Sequence, residues 1–189
     1  MIKNIMIVGV GGQGSLLASK ILGKAAMDAG YDVKVSEVHG MSQRGGSVVT
    51  YVRYGDEPVY SPVIGAGEAD VILSFELLES ARWLPCLKIG GTVVTSLQQI
   101  NPMPVIMGVK EYPENILAIL EKEHKVCTVD GQAIALELKN AKVLNSVVLG
   151  FAAKHVGFEK EAWLDVIEKT VPAKTIEINK NAFTMGYEA

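Results

Sequence analysis

Cysteine is scarce in this chain. Only Cys86 and Cys127 occur among 189 residues, and no C-x-x-C pair is present. Two thiolates cannot furnish the four ligands of an ordinary iron–sulfur cluster. His39, His124 and His155 stand at no metal-ligand spacing, so no metal site is expected. Two reduced thiols fit a reducing compartment better than a disulfide. Basic runs are also missing: the formal net charge is −3 and no cluster of Lys or Arg marks a nucleic-acid or lipid surface. No apolar stretch approaches the ~20 residues that span a bilayer. The opening MIKNIMIVGVGG lacks the long apolar core and cleavage site of a signal peptide. A cytoplasmic protein with neither nucleic-acid nor membrane partner is therefore expected. No G-x-S-x-G, no P-loop lysine, no nucleophile beside a base and no G-D-G with a distal Asn for thiamine diphosphate can be found. By itself the chain lacks a complete reaction centre.

Aromatics make up only 6%, while apolar residues reach 49%, dominated by Val, Ile, Leu and Ala. That balance suits a β-branched sheet covered by Ala/Leu helices. A domain of this length buries roughly 70% of its unfolded surface without needing a disulfide or metal.

Residues 4–9, NIMIVG, are a short apolar run of the kind found in buried parallel strands. Over 12–29, Leu16, Leu17, Ile21, Leu22, Ala25 and Ala26 recur at helical spacing, and Gly30 closes the helix. Residues 31–38 alternate as a second strand, completing a βαβ unit. SVVTYVRYG (47–55) is a third strand. Only about eight residues precede it, whereas a parallel crossover needs a dozen or more, so it pairs antiparallel or lies at an edge. PVYSPV (58–63) reads as the return arm of a hairpin, kept at an edge by Pro58 and Pro62. Strands follow at 69–75, 90–96 and 125–131. Helices are expected after residue 76, over 114–124, and near 132–138, 143–156, 160–170 and 174–187, with 97–113 irregular. The fold class is α/β: a Rossmann-like, mostly parallel sheet with an antiparallel hairpin edge (about 47–63) and helices on both faces. No repeat or linker divides residues 1–189, so one domain is expected.

Two loops stand out. GVGGQG places Gly9, Gly11 and Gly14 at G-x-G-x-x-G spacing, with Gly12 as an extra glycine, after a strand and before a helix. Glycines there let a phosphate approach first-turn N–H groups, where the helix end favours negative charge. The same glycines would also serve close strand–helix packing. Glu37, near the end of the second strand, is placed to hold a ribose. Gln13 is polar at a helix start and is better explained by a ligand or partner than by packing. HGMSQRGG (39–46) leaves the second strand at the same carboxyl edge. Arg44 suits a bidentate anion contact, Ser42 and Gln43 suit a polar ligand, and Gly45 and Gly46 permit close approach. Glu76, just past the 69–75 strand, is a further candidate at this edge. Glu79 and Arg82 read as a surface pair, and His155 as a helix-terminal histidine.

GVGGQG (9–14), EVHGMSQRGGSVVTYVRYG (37–55) and VYSPVIGAGEADVILSFELLESAR (59–82) together resemble the gamma-type domain of 2-oxoacid:ferredoxin oxidoreductases, most closely the small subunit of the indolepyruvate enzymes. The resemblance implies a subunit catalytic only when assembled. Its holoenzyme would decarboxylate an arylpyruvate such as indolepyruvate oxidatively, in a CoA-dependent reaction that passes electrons to ferredoxin. Thiamine diphosphate, Mg and iron–sulfur clusters would belong to a larger partner subunit, with coenzyme A expected at the shared site. Carried onto this chain, Gly11, Gly12, Gln13, Ser42, Gln43, Arg44 and Gly45 would face the partner or coenzyme A. Self-association of the isolated chain stays open. So do two other readings: a free-standing NAD(P)H- or FAD-binding oxidoreductase, and a scaffold subunit that binds no small molecule.

Overall fold

The computed structural model describes residues 1–40 and 45–189. Six strands form one mixed sheet. In chain order the elements are β1 (Ile2–Val10), α1 (Ser15–Asp28), β2 (Asp32–His39), β3 (Ser47–Gly55), β4 (Ala69–Ser74), α2 (Leu77–Arg82), β5 (Leu87–Ser96) and the single turn α3 (Met103–Ile106). Then come α4 (Ile116–Glu123), β6 (Lys125–Val129), α5 (Gly131–Glu137), α6 (Leu144–Val156), α7 (Lys160–Thr170) and α8 (Ile176–Glu188). The strand order is β2-β3-β1-β4-β5-β6.

β1, β4, β5 and β6 run parallel. The expected βαβ unit forms, but β3 inserts between its two strands and runs antiparallel to both, pairing Val49 with Val8 on one side and Val38 on the other. The expected hairpin is thus built differently. Its partner arm is β2, the edge strand is β2, and residues 58–63 form no strand. Pro58 and Pro62 have no N–H to give a ladder, and β3 already has a neighbour on each side. The 58–63 segment is held by side chains instead: Asp32 Oδ2 accepts from Val59 N at 2.6 Å, and Arg53 Nη1 donates to the carbonyls of Ser61 and Val63.

Successive side chains of β1 feed opposite layers. Ile5 and Ile7 meet Val71, Leu73 and Val94 beneath α1, α6 and α7. Met6 and Val8 meet Val49, Ile72 and Val93 on the other face, where Ile64 and Trp83 help to cover them. There α2 packs on α4 through Leu77, Ile116 and Leu120. Coverage on both faces is why β1 and β4 read as continuous apolar runs rather than as alternating ones.

Helix α6 lies between the sheet and α8, and most of its residues are buried. It crosses α8 where Gly150 faces the Phe183 carbonyl and Gly186 faces that of Val147, and a Cβ at either glycine would overlap the opposing carbonyl. Trp163 is fully buried against Phe158 and Phe183 and serves as a packing residue.

Candidate functional site at the carboxyl edge

The two glycine loops meet. Past the last β1–β3 pair, Gly11 N donates to Gly46 O at 2.8 Å and Gly45 N donates to Gly11 O at 3.2 Å. These bonds carry the ladder into the loops and make one ridge at the carboxyl edge. Gly12 and Gly14 have positive φ, 106° and 89°. A Cβ on Gly9 would sit 2.8 Å from Gln13 Oε1, and one on Gly14 2.6 Å from Asn145 Nδ2. At Gly9 and Gly14, then, the motif also satisfies local packing.

Gln13 does what its polarity did not foretell. Its Oε1 accepts from Val10 N at 2.7 Å, while Nε2 donates to Phe75 O at 2.9 Å and to Gln98 Oε1 at 2.8 Å. One amide fastens the tip of β1 to the segments leaving β4 and β5. Its polar atoms are engaged within the chain.

A cavity of about 430 Å³ opens on the α1 side of the ridge, lined by Gly11, Gly12, Ser15, Glu37, His39 and Val48 among others. The N–H groups of Gly12, Gly14, Ser15 and Leu16 donate to no carbonyl among the described residues. Helix α1 begins without a side-chain cap and without an acidic residue in its first turn. These features suit a negatively charged group. Glu37 faces the same cavity and is reached by Thr50 Oγ1 at 3.4 Å. Gly11, Gly12, Gly14 and Glu37 thus line one cavity, even though β3 separates β2 from β1. Ser42, Gln43 and Arg44 lie outside the described residues.

Glu76 is placed elsewhere. It is 1% exposed, on the opposite sheet face from that cavity. Its Oε2 accepts from Glu79 N at 2.8 Å, capping α2, while Oε1 accepts from Ile100 N at 3.0 Å and Tyr112 Oη at 2.6 Å. Ile100 and Tyr112 lie on the outgoing and returning arms of the 97–113 segment, so one buried carboxylate clamps both. Burial, followed by the hydrogen bond and charge of Glu76, raises the Tyr112 phenol well above its ordinary value. The Glu79–Arg82 pair forms at 3.0 Å but is not the surface pair expected: Glu79 is 4% exposed and also accepts from Ser47 Oγ, at the end of the second glycine loop. These residues, with Gly45, Gly46, Pro102 and Met103, line a second cleft of about 650 Å³. Sequence reasoning missed Gln98, Tyr112 and Ser47, whose partners are distant in the chain. The only signal was a lone tyrosine in a proline-punctuated stretch.

The described residues bring no three His, Cys, Asp or Glu side chains together in a way that would hold a metal ion. Cys86 and Cys127 are free, and burial raises the Cys86 thiol. No helix among the described residues is long and apolar enough to cross a membrane.

A mixed six-stranded sheet whose carboxyl edge carries two hydrogen-bonded glycine loops defines a Rossmann-like α/β domain. Residues 4–189 match the model of the pyruvate ferredoxin/flavodoxin oxidoreductase family, and the chain belongs to that family. It is 46% identical to indolepyruvate oxidoreductase subunit IorB of Pyrococcus horikoshii, over 98% of this chain and 95% of the relative. Among solved structures, the gamma subunit of a keto/oxoacid ferredoxin oxidoreductase from Geobacter sulfurreducens superposes with a TM-score of 0.71 at 25% identity, covering 98% of this chain and 96% of that one. The 2-oxoglutarate:ferredoxin oxidoreductase of Magnetococcus marinus, solved with 2-oxoglutarate, coenzyme A and succinyl-CoA, shares the fold at a TM-score of 0.76 and 20% identity. It covers 99% of this chain but only 30% of its own.

Proposed function

We propose that this chain is the small subunit of an arylpyruvate:ferredoxin oxidoreductase, with indolepyruvate as the type substrate, and that it is active only with its large subunit. The observation that carries this is the 46% identity with an indolepyruvate oxidoreductase subunit along nearly the whole of both chains. In this reading thiamine diphosphate, magnesium and the iron–sulfur clusters reside in the partner. Bound there, they supply decarboxylation and electron transfer to ferredoxin. This chain contributes the ridge of Gly11, Gly12, Gly45 and Gly46, with Ser42, Gln43 and Arg44 of the same loop. The N–H groups at the start of α1, which meet no carbonyl among the described residues, suit a phosphate of coenzyme A, and Glu37 across the cavity suits a ribose hydroxyl.

Co-expression with the large subunit and a ferredoxin-linked, CoA-dependent assay on indolepyruvate tests the proposal. Turnover should require both chains. Failure to form a complex, or turnover undiminished without this chain, would sink it. The same cavity keeps a second reading alive, a free-standing nucleotide oxidoreductase. Titration of the isolated chain with NAD(P)H and FAD decides, since saturable micromolar binding would favour that reading.

A further inference from the structure

Segment 97–109 projects from the carboxyl edge and is a preformed structure. Helix α3 ends in a paired C-terminal motif: Gly108 has φ 69° and donates to Val105 O at 3.0 Å, while Val109 N donates to Pro104 O at 2.9 Å. This double bond pattern closes a helix with a left-handed glycine. Both arms are tied down, through Ile100 N and Tyr112 Oη to the buried Glu76 carboxylate. Yet five of its apolar residues are exposed. Met103, Ile106, Met107 and Val109 are 59%, 65%, 61% and 70% exposed, and Leu97 39%. Summed over the five residues, the exposed surface is on the order of 500 Å², within the range at which apolar surface marks an interaction site. That is a large part of the roughly 800 Å² each partner gives to a standard interface.

We propose that this projection is the anchor on which the large partner subunit docks. The inference rests on the small-subunit reading and adds the surface that joins the two chains. Three observations point to that occupant. The area approaches what a stable heteromeric interface needs. Met103 and Ile106 line the same cleft as Gly45 and Gly46, so a chain seated on the projection also reaches the glycine ridge. The prepaid order of α3 lowers the conformational cost of binding. The partner's complementary patch should be apolar at its centre, since a charge buried against Met107 would lack a counterpart.

The test compares wild type with Ile106→Asp/Met107→Asp, and with Ile106→Leu as the conservative control, each co-expressed with the large subunit. Wild type and Ile106→Leu should co-purify at full stoichiometry, and the double Asp variant should lose at least tenfold in recovered complex. Because both replaced side chains are exposed, the double variant should keep the wild-type melting temperature, and circular dichroism verifies that the chain is folded. Full co-purification of the folded double variant would overturn the inference while leaving the small-subunit reading intact. Absence of any wild-type complex would overturn that reading first, and the inference with it. A wild-type chain that dimerises alone in light scattering, with the Asp variant monomeric, would assign the patch to a second copy and overturn the proposal too.

Discussion

Gln13 satisfies three groups with one side chain, so its removal should be felt beyond its exposure. Gln13→Ala strips the acceptor from Val10 N and the donor from Phe75 O and Gln98. Leaving such partly buried groups unpaired costs about 1–3 kcal/mol, measurable as a lower urea midpoint with an unchanged slope. His155 offers a test in pH. Burial, with Lys125 and Lys154 nearby, lowers its value from the ordinary 6.5. The unfolded chain therefore takes up the proton first as pH falls. Stability should decline as pH drops below about 6.5 and stop declining from this source once the folded imidazole is protonated too. His155→Gln should show a shallower loss of urea midpoint between pH 7.5 and 5.5 than wild type; an equal loss would place the titration elsewhere. The histidine was legible as a helix-end residue, since Phe151 and Gly157 flank it in the chain. Gln13 was not, because two of its three partners, Phe75 and Gln98, lie 62 and 85 positions away, just past the ends of β4 and β5.

The α6–α8 crossing depends on two glycines lying against carbonyls of the opposite helix. Gly150→Ala drives a methyl into the Phe183 carbonyl and forces the helices apart, at a cost of about 3 kcal/mol or more. Thermal unfolding should register a drop of several degrees for Gly150→Ala and little change for an exposed helical control such as Lys20→Ala. Nearly every helix and strand was legible, since 3.6-residue and alternating patterns depend on neighbours alone. Strand β3 could be read as antiparallel from its short connection. Its position in the sheet could not, because register and order are set by which edges remain open once β1 and β2 have formed. Residues 58–63 misled for the same reason: they look extended locally, but two prolines and an already paired β3 leave them no ladder to join.

Across the whole molecule, one sheet with layers on both faces predicts one cooperative unit over residues 1–189. A single calorimetric transition is expected, with a heat-capacity change of ~2.5 kcal/mol/K from the usual ~12–15 cal/mol/K per residue. Two resolved transitions would divide the domain. Removing α8 should abolish that transition, because α6 would lose the helix that covers its outer side.

The sequence by itself determined the alternation of strands and helices, the α/β class, the glycine loops and the family they resemble. All of these are written in short-range spacing. Only the tertiary structure decided what the polar residues at the carboxyl edge do. It turned Glu76 into a buried clamp, Gln13 into a tie between strand ends and Glu79 into a buried partner of Ser47, while leaving Glu37 on the α1-side cavity. The reason is physical. A side chain's chemistry is local, but its burial and its hydrogen-bond partners are set by residues that meet it only after the sheet has closed.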